Sequence, residues 1–319
     1  MSENTKILQS KLEGVIAEVE KVVVGKRREI ELLLCAMLSG GHVLIEDVPG
    51  VGKTTLAAAL ARSCGLDFRR AQFTPDVMAS DITGFNMYNR STEKFEFREG
   101  LVMTNIMLAD EINRASPKTQ SSLLEAMEEN AVTVDGVTYK LASPFFVIAT
   151  QNPSGYVGTY PLPEAQLDRF SIRMSMGYPT EDEEFNIITA RRTENPISKV
   201  VSAATRDEIA AMISECAAVR LDPEVSRYIV SLVRATRQSD KIALGASPRA
   251  SIALMKVAQA YAFVRGRDFV MPEDVSAVYL PVIAHRLTLS KEARMNAEKT
   301  DTVLRELLQA VKVPFRGER

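Results

Sequence analysis

The chain has 319 residues, and its 46% hydrophobic and 25% charged content is ordinary for a folded protein with a sizeable core. Its 39 basic and 41 acidic residues give a net charge of −2, which argues against unspecific binding to nucleic acid. The three cysteines are widely spaced and there are two histidines, which disfavours disulfides, a zinc site and histidine-based catalysis.

The first residues contain no apolar signal core, and no apolar run reaches the roughly 18 residues that a membrane-spanning helix needs. Widely spaced cysteines also fit a reducing compartment better than an oxidising one. We therefore expect a cytoplasmic protein without membrane insertion.

Two amphipathic helices are predicted over residues 5–23 and 28–38, because apolar residues recur there at helical spacing. Val24 and Gly25 lie between them. In many P-loop ATPases, a short apolar-glycine segment at this place packs on the nucleotide base. A plain turn between helices explains the same composition equally well.

A phosphate-binding loop is the strongest signal. An apolar strand predicted over residues 42–46 leads into the sequence DVPGVGKT, and a helix predicted over residues 54–62 leaves it. In such a loop, backbone N–H groups face the phosphates, Lys53 reaches the terminal phosphates and Thr54 takes a Mg²⁺ position. The predicted nucleotide-binding residues are Asp47, Val48, Pro49, Gly50, Val51, Gly52, Lys53, Thr54 and Thr55.

Asp47 departs from the usual pattern G-x-x-x-x-G-K-[ST], in which glycine holds this position. Because aspartate tolerates unusual backbone angles better than most residues, we expect the turn to keep its shape. The alternative, a chance Gly-Lys-Thr in a surface loop, is disfavoured by the strand and the helix on either side.

The following segment mixes strand and turn signals. A second strand is predicted over residues 67–72, and a turn-rich acidic stretch over residues 73–84 follows it. A β-hairpin is then predicted with a polar tip at residues 89–94, and its arms carry the aromatic residues Phe85, Tyr88, Phe95 and Phe97.

Asp110 and Glu111 form the second strong signal. They follow an apolar strand predicted over residues 106–109, so both carboxylates lie at the carboxyl edge of a parallel sheet, where ligands bind. Asp110 would hold the Mg²⁺ shell, and Glu111 would polarise the attacking water. An acidic helix cap after a core strand is the alternative, which the upstream phosphate loop disfavours.

A further apolar strand, predicted over residues 145–150, delivers Asn152 to the same edge. A side-chain amide there can hydrogen-bond the γ-phosphate or its water, whereas Asn-Pro alone marks only a turn. A helix is predicted over residues 117–129, a hairpin around an Asp-Gly turn over residues 132–139, and a short helix over residues 163–170.

From residue 178 onward, strand patterns stop and helical periodicity continues to the end. We therefore predict an αβα nucleotide-binding domain over residues 1–179 and a helical domain over residues 180–319. Its helices are predicted over residues 181–192, 205–218, 223–236, 248–265, 272–278 and 281–289, before a C-terminal amphipathic piece.

Arg249 is the second residue of the helix that begins after Ser247. A cation is unfavourable there unless an anion lies nearby, because the helix dipole is already positive. A nucleotide phosphate would supply the anion; an exposed arginine is the alternative.

The order of these motifs resembles that of an AAA+ ATPase, and further stretches resemble the MoxR family. Those stretches are residues 72–76 (QFTPD), 80–84 (SDITG), 109–115 (ADEINRA), 158–170 (GTYPLPEAQLDRF), 245–250 (GASPRA), 266–270 (GRDFV) and 284–287 (AHRL). The resemblance implies an α/β fold: an AAA+ P-loop NTPase core with a central parallel sheet flanked by helices, plus a C-terminal all-helical lid domain.

The resemblance also implies roles for single residues, with ATP and Mg²⁺ as cofactors. Asn152 matches sensor 1 and Arg249 matches sensor 2. Arg169 resembles the arginine finger that a neighbouring subunit donates, although Arg114 occupies another plausible edge. Such a finger implies a homo-oligomeric ring, here expected to be a hexamer.

Proteins of this family resemble chaperone-like remodelling ATPases, often paired with a protein that carries a von Willebrand factor A domain. Residues 85–102 resemble the helix-2 insert of this clade and residues 132–141 the hairpin before sensor 1. Both would face the central pore; ordinary surface hairpins are the alternative.

Three other functions are weighed against a protein remodeller. A nucleic-acid motor needs a basic pore, whereas the insert balances its cations with acids, so we expect a protein client and no nucleic acid. The ATPase subunit of a metal chelatase would differ only in its client. A non-hydrolysing scaffold is disfavoured because Glu111 is present.

Overall fold

The computed structural model describes residues 3–152, 159–190 and 196–314. The first part of the chain alternates between helices and strands: α1 (Glu3–Glu20), α2 (Arg27–Leu38), β1 (Val43–Glu46), α3 (Lys53–Ser63), β2 (Phe68–Gln72), α4 (Ala79–Thr83), β3 (Gly84–Asn89), β4 (Lys94–Glu99), β5 (Ile106–Asp110), α5 (Pro117–Glu129), β6 (Ala131–Val134), β7 (Val137–Lys140), β8 (Phe146–Gln151), α6 (Glu164–Leu167) and β9 (Ile172–Met174). The second part is mainly helical: α7 (Glu181–Ala190), α8 (Arg206–Ala217), α9 (Pro223–Gln238), β10 (Ile242–Leu244), α10 (Pro248–Val264), α11 (Pro272–Ile283), β11 (Thr288–Leu289), α12 (Lys291–Met295) and α13 (Thr300–Ala310).

Five parallel strands form the central sheet in the order β2-β5-β8-β1-β9. Strands β1, β5 and β8 are buried along nearly their whole length, which explains why their sequences are apolar without alternation. All five strands end at one edge. Parallel strands place ligands at that carboxyl edge, so it positions the site.

Two antiparallel hairpins, β3–β4 and β6–β7, project from this core as predicted. They lie side by side, because Asn86 Nδ2 donates to Asp135 Oδ2 at 2.8 Å and the rings of Phe97 and Tyr139 stack at 3.9 Å. The turn between β6 and β7 has positive φ at Asp135 and Gly136, the geometry that an Asp-Gly turn favours.

The helical part packs on the sheet domain through α10. Buried residues of α2, α8 and α10 belong to one apolar core that also covers one face of the sheet. The division into domains over residues 1–179 and 180–319 stays a prediction. In the described ranges, no helix is long and apolar enough to cross a membrane.

Four details of the predicted elements were wrong. The prediction that strands stop before the helical part failed at β10 and β11, which pair antiparallel, and the three-residue edge strand β9 was missed. Helix α4 lies within the predicted turn-rich stretch. Helix α11 runs through Pro281, which was taken for a new helix start. Pro281 lies in the last turn, where its missing N–H removes only one helical bond.

Candidate nucleotide-binding site

The predicted phosphate loop joins β1 to α3. Gly50 and Gly52 adopt φ angles of 87° and 94°. Apart from each glycine and its two chain neighbours, no described residue has an atom within 4 Å of where a side chain would begin. Because α3 begins at Lys53, the N–H groups of its first turn have no helical partner and border this open space. A loop with open space over its backbone donors fits a phosphate.

Asp47 acts differently from the prediction. The positive φ angles of the loop lie at the glycines, and the Asp47 carboxylate is a hydrogen-bond acceptor instead. Its Oδ2 accepts from Ser175 Oγ at 3.0 Å and from the N–H groups of Met176 and Gly177 at 2.7 and 2.8 Å, and its Oδ1 accepts from Val48 N–H at 2.9 Å. Asp47 therefore fastens the loop to the segment that follows β9.

Lys53 lies folded against its own loop. Its Nζ donates to the carbonyl oxygen of Asp47 at 2.8 Å and to that of Val48 at 3.3 Å. Burial lowers the pKa of the Lys53 ammonium, and the nearby carboxylates of Asp110, Asp47 and Glu111 offset this only partly. The ammonium is thus held between the loop and the two carboxylates that end β5.

Thr150 fixes the carboxylate pair. This residue of β8 is fully buried; its hydroxyl donates to Asp110 Oδ1 at 2.6 Å and accepts from Glu111 N–H at 2.9 Å. Glu111 has φ 57° and ψ 50°, a left-handed conformation that is unfavourable for a non-glycine residue. Thr150 was not among the predicted site residues, although a polar residue at the end of an apolar strand is a usable signal.

Three polar side chains surround the carboxylates. Arg70 Nη2 donates to Asp110 Oδ2 at 2.7 Å, while Gln72 Nε2 and Arg114 Nη1 donate to Glu111 Oε2 at 3.0 and 2.9 Å. Arg70 was missed by the sequence analysis. Arg114, the alternative finger, contacts the predicted base of its own chain in the structure.

Asn152 directly follows β8, and the register pairs its neighbour Gln151 with Glu46 of β1, so Asn152 lies beside the start of the phosphate loop. The carboxylate of Asp110 and the hydroxyl of Thr54 supply oxygen donors that suit Mg²⁺. In the described part of the chain, no group of three or more acidic, histidine or cysteine side chains could hold a metal. These residues therefore fit a Mg²⁺ ion that takes its remaining ligands from phosphate and water.

Val24 and Gly25 lie near the same edge. Gly25 has φ 73°, and a side chain there would overlap the Glu183 carboxylate of α7. Lys26 Nζ donates to the carbonyl oxygen of Tyr178 at 3.2 Å, one residue beyond the Gly177 N–H that Asp47 binds. This neighbourhood is compatible with the predicted base contact, which stays a prediction.

Arg169 and Arg249 meet at the other end of the sheet. Both form ion pairs with Glu128, Arg169 with Oε2 at 3.1 Å and Arg249 with Oε1 at 3.2 Å. They line an open cleft of about 320 Å³ together with residues 40–42, which precede β1. The five steps from His42 to Asp47 span about 16 Å of extended chain. In the single chain, the anion beside Arg249 is therefore Glu128. The prediction that a nucleotide phosphate lies beside Arg249 stays a prediction.

A buried cation, Arg286, holds the segment that carries Arg169. It donates to the carbonyl oxygens of Asp168 at 3.2 Å and Phe170 at 2.7 Å, and its Nε lies 3.4 Å from Asp168 Oδ1. Burial lowers the pKa of Arg286 to about 10, against the opposing effect of Asp168. The other Asp168 oxygen accepts from Ser247 Oγ at 3.2 Å, at the start of α10. The Arg169 segment and the Arg249 helix are thus joined through Asp168.

The hairpins expose part of their aromatic side chains. Phe85 and Tyr88 are about half exposed, and Phe95 is 72% exposed. The rings of Phe97 and Tyr139 stack on each other. The exposed rings thus lie on β3 and β4, with a Tyr88–Phe95 edge contact at 5.4 Å.

Known families and relatives match most of the chain. Residues 42–172 match the ATPase family associated with various cellular activities (AAA), and residues 234–307 match the AAA lid domain. YeaC of Bacillus subtilis (strain 168) is 51% identical over 94% of this chain and 93% of its own. Chaperone MoxR1 of Mycobacterium tuberculosis is 42% identical over 95% of this chain and 82% of its own. Protein MoxR of Methylorubrum extorquens is 30% identical over 93% of each chain.

A solved structure agrees with these relatives. The protein from Cytophaga hutchinsonii, described as a candidate ATPase, has a TM-score of 0.91 at 38% identity and covers 98% of both chains. The predicted AAA+ fold with a helical lid region is confirmed by these matches and by the observed sheet. On these grounds, the chain belongs to the MoxR family of nucleotide-binding AAA+ ATPases.

Proposed function

We propose that the protein hydrolyses Mg-ATP as a homo-oligomeric ring, a hexamer, and uses the energy to remodel a protein client. The observation that carries this proposal is the separation of two sets of groups. The phosphate loop, Asp110 and Glu111 lie at one edge of the sheet, whereas Arg169 and Arg249 lie at the opposite end. A site with all of them needs two copies in a head-to-tail contact, which closes into a ring when the rotation permits.

At the loop edge, we assign a role to each of the predicted site residues. Loop N–H groups and Lys53 bind the phosphates, and Thr54 and Asp110 hold Mg²⁺, which neutralises phosphate charge when bound. Glu111 takes the proton of the attacking water, and Asn152 orients that water. Arg169 of a neighbouring copy stabilises the charge that develops on the transferred phosphoryl group.

At the hairpins, exposed rings without a basic excess favour a polypeptide over nucleic acid. Phe85, Tyr88 and Phe95 can bury apolar area against an extended chain. The insert's cations (Arg90, Lys94 and Arg98) are matched in number by its acids (Glu93, Glu96 and Glu99). One relative is named a chaperone, which fits a protein client. We further propose a partner with a von Willebrand factor A domain, from the family resemblance.

The same site would serve the ATPase subunit of a metal chelatase, which differs only in its client. A cytoplasmic location fits the free cysteines Cys35, Cys64 and Cys216, which are all buried and need no oxidising compartment.

The hydrolysis rate, measured with three kinds of added polymer, tests this proposal. We expect severalfold stimulation by an unfolded polypeptide such as carboxymethylated α-lactalbumin, and none by single-stranded or duplex DNA or by RNA at two salt concentrations. Phe95→Ala should remove the stimulation and keep the basal rate. Met295→Ala, at an 86% exposed apolar side chain on α12, is the matched control and should change neither.

Two results would contradict the proposal. If no ATP is hydrolysed under any of these conditions, the protein is not the proposed ATPase. Stimulation by nucleic acid that weakens steeply with salt would favour the nucleic-acid motor instead.

A further inference from the structure

Helix α7 presents an acidic and apolar surface that no element in the described part of the chain covers. Glu181, Glu184, Phe185 and Ile188 recur at helical spacing on one side of it, and we refer to these four residues as the α7 stripe. Phe185 is 68% exposed and Ile188 is 62% exposed. The opposite side of α7 faces the body of the protein, because the Glu183 carboxylate lies against Gly25, between α1 and α2.

Helix α10 presents a surface of matching size and opposite charge. Arg249, Ile252 and Lys256 recur at the same spacing, and we call these three residues the α10 stripe. Ile252 is 53% exposed between the two cations, and all three side chains line the cleft of about 320 Å³. Both stripes extend over seven residue steps, which is about 10 Å of helix.

One chain cannot join its own two stripes. Helix α7 follows the segment that Asp47 binds through Gly177, at the carboxyl edge of the sheet. The α10 stripe borders Gly41 and His42, which precede β1 at the opposite end. A contact between the stripes therefore requires a second copy in a head-to-tail arrangement.

We propose that the α7 stripe of one copy docks onto the α10 stripe of the next copy. Phe185 and Ile188 lose water-exposed apolar area against Ile252, and Glu184 lies opposite Lys256. This contact deepens the ring of the proposed function and rests on it. It brings the phosphate-loop edge of one copy to the arginines of the next.

Charge exchange between the stripes tests the contact. The background is the Glu111→Gln protein with ATP, and assembly is followed by sedimentation velocity over a concentration series. Glu184→Lys and Lys256→Glu should each raise the concentration for half-assembly by about tenfold or more. The double variant should return it to within about threefold of the background. Asp182→Lys makes the same charge change beside the stripe on the same helix and should have less than a twofold effect.

A second variant addresses the apolar part of the contact. Ile188→Asp should weaken assembly, and Lys256→Glu should not rescue it. Thermal unfolding of each variant monomer separates loss of contact from loss of fold.

The outcomes distinguish this contact from the proposed function. If the background assembles and neither charge reversal weakens it, the docking is overturned and the ring stands. If Glu184→Lys and Lys256→Glu each weaken assembly and the double variant does not restore it, the pairing of these stripes is also overturned. If the wild-type protein stays monomeric with every nucleotide at all concentrations, both the ring and the docking fall.

Discussion

The two ends of strand β1 differ in the groups that surround them. After its carboxyl end lie the phosphate loop, Asp110 and Glu111, with backbone donors and one lysine. Beside its amino end lies a cleft with more cations than acids; it contains Arg169, Arg249, Lys256 and Arg286 against Glu128 and Asp168. In the proposed function, the groups at the first end bind and attack a phosphate, and those at the second end stabilise its charge. One folded chain therefore holds both proposed halves of the site without joining them.

Glu128 shows what the arginine end does in a single chain. Each of its two carboxylate oxygens forms an ion pair with one arginine, so the single carboxylate bridges the guanidinium groups of Arg169 and Arg249. A phosphoryl group offers the same kind of oxygen acceptors to guanidinium groups. The isolated subunit therefore keeps both cations in a geometry that suits an incoming anion.

Removal of the predicted arginine finger should have a strong effect on hydrolysis. Arg169→Ala should lower kcat by about 10³-fold or more, because an arginine at the transferred phosphoryl group contributes this much in related reactions. Mixing Arg169→Ala chains with Lys53→Ala chains should restore hydrolysis, since some interfaces then combine an intact loop with an intact arginine. The measurement is steady-state hydrolysis across mixing ratios.

Arg114→Ala provides the comparison for the finger. This arginine contacts Glu111 of its own chain, so mixing it with Lys53→Ala should show no recovery beyond the activity of the Arg114→Ala chains alone. If the chains co-assemble and only Arg114→Ala is complemented, the finger is Arg114 and the assignment of the two ends changes.

The second effect separates binding from chemistry within the loop end. Glu111→Gln should keep nucleotide affinity and lower kcat by about 10²- to 10⁴-fold, because the amide cannot accept the proton of water. Lys53→Ala should instead lose affinity for the nucleotide. Calorimetric titration with a non-hydrolysable ATP analogue and single-turnover hydrolysis measure the two. Glu125→Gln, an exposed acid on α5, is the control, and near wild-type turnover in Glu111→Gln would remove Glu111 from the role of base.

A third effect concerns the buried cation that holds the arginine end. Arg286→Met should lower kcat by about 10- to 100-fold with unchanged nucleotide affinity, because Arg169 loses its position while the loop is untouched. Arg286→Lys should recover part of kcat. The exposed Arg305 supplies the control variant Arg305→Met.

Loss of stability could imitate this result, because Arg286→Met leaves the Asp168 carboxylate without its buried partner. The double variant Asp168→Asn with Arg286→Met removes that uncompensated charge and should recover stability in thermal unfolding. Its kcat should stay low. Recovery of kcat together with stability would show that Arg286 is structural only.

The loop end was largely predictable from sequence, and the arginine end was not. Apolar strands followed by Lys-Thr, Asp-Glu or Asn identify one edge of a parallel sheet, since the sheet brings all carboxyl ends together. The place of Arg249 depends instead on how α10 packs against α2 and the sheet, over contacts more than 200 residues apart in the chain. Local periodicity carries no information about this packing. The charge of the helix dipole indicated that an anion lies near Arg249, but it could not identify Glu128.

The contacts of single residues at the loop end could not be predicted from sequence, for a related reason. The partners of Asp47 lie more than 120 positions away, at Ser175 to Gly177, after an edge strand too short to recognise. Thr150 is a hydroxyl at the end of a buried strand, and only the pairing of β8 with β5 shows that it contacts Asp110 and Glu111.

A weaker effect, on the free energy of unfolding, is expected from a change to the Asp47 hydrogen bonds that attach the phosphate loop to the segment after β9. Asp47→Asn keeps the shape of the side chain and an oxygen for the donors of Met176 and Gly177, but its amide turns a donor toward the N–H of Val48. We expect a loss of about 1–3 kcal/mol in the free energy of unfolding at pH 7. The contacts of Arg169 and Arg249 with Glu128 should change little. Asp135→Asn, in the exposed turn of the second hairpin, is the control and should cost less than about 0.5 kcal/mol.

The pH dependence of that loss identifies its cause. Burial tends to raise the pKa of Asp47, but the hydrogen bonds from Gly177, Ser175, Met176 and Val48 outweigh it, and the pKa lies below its ordinary value. A depressed folded pKa stabilises the protein above the unfolded pKa of about 4, and this stabilisation disappears as the pH falls through the folded pKa. The difference between wild type and Asp47→Asn in urea unfolding should therefore be full at pH 6 to 7 and shrink below about pH 4. A difference that stays constant down to pH 3 would mean that the shape of the side chain, and not its charge, fastens the loop.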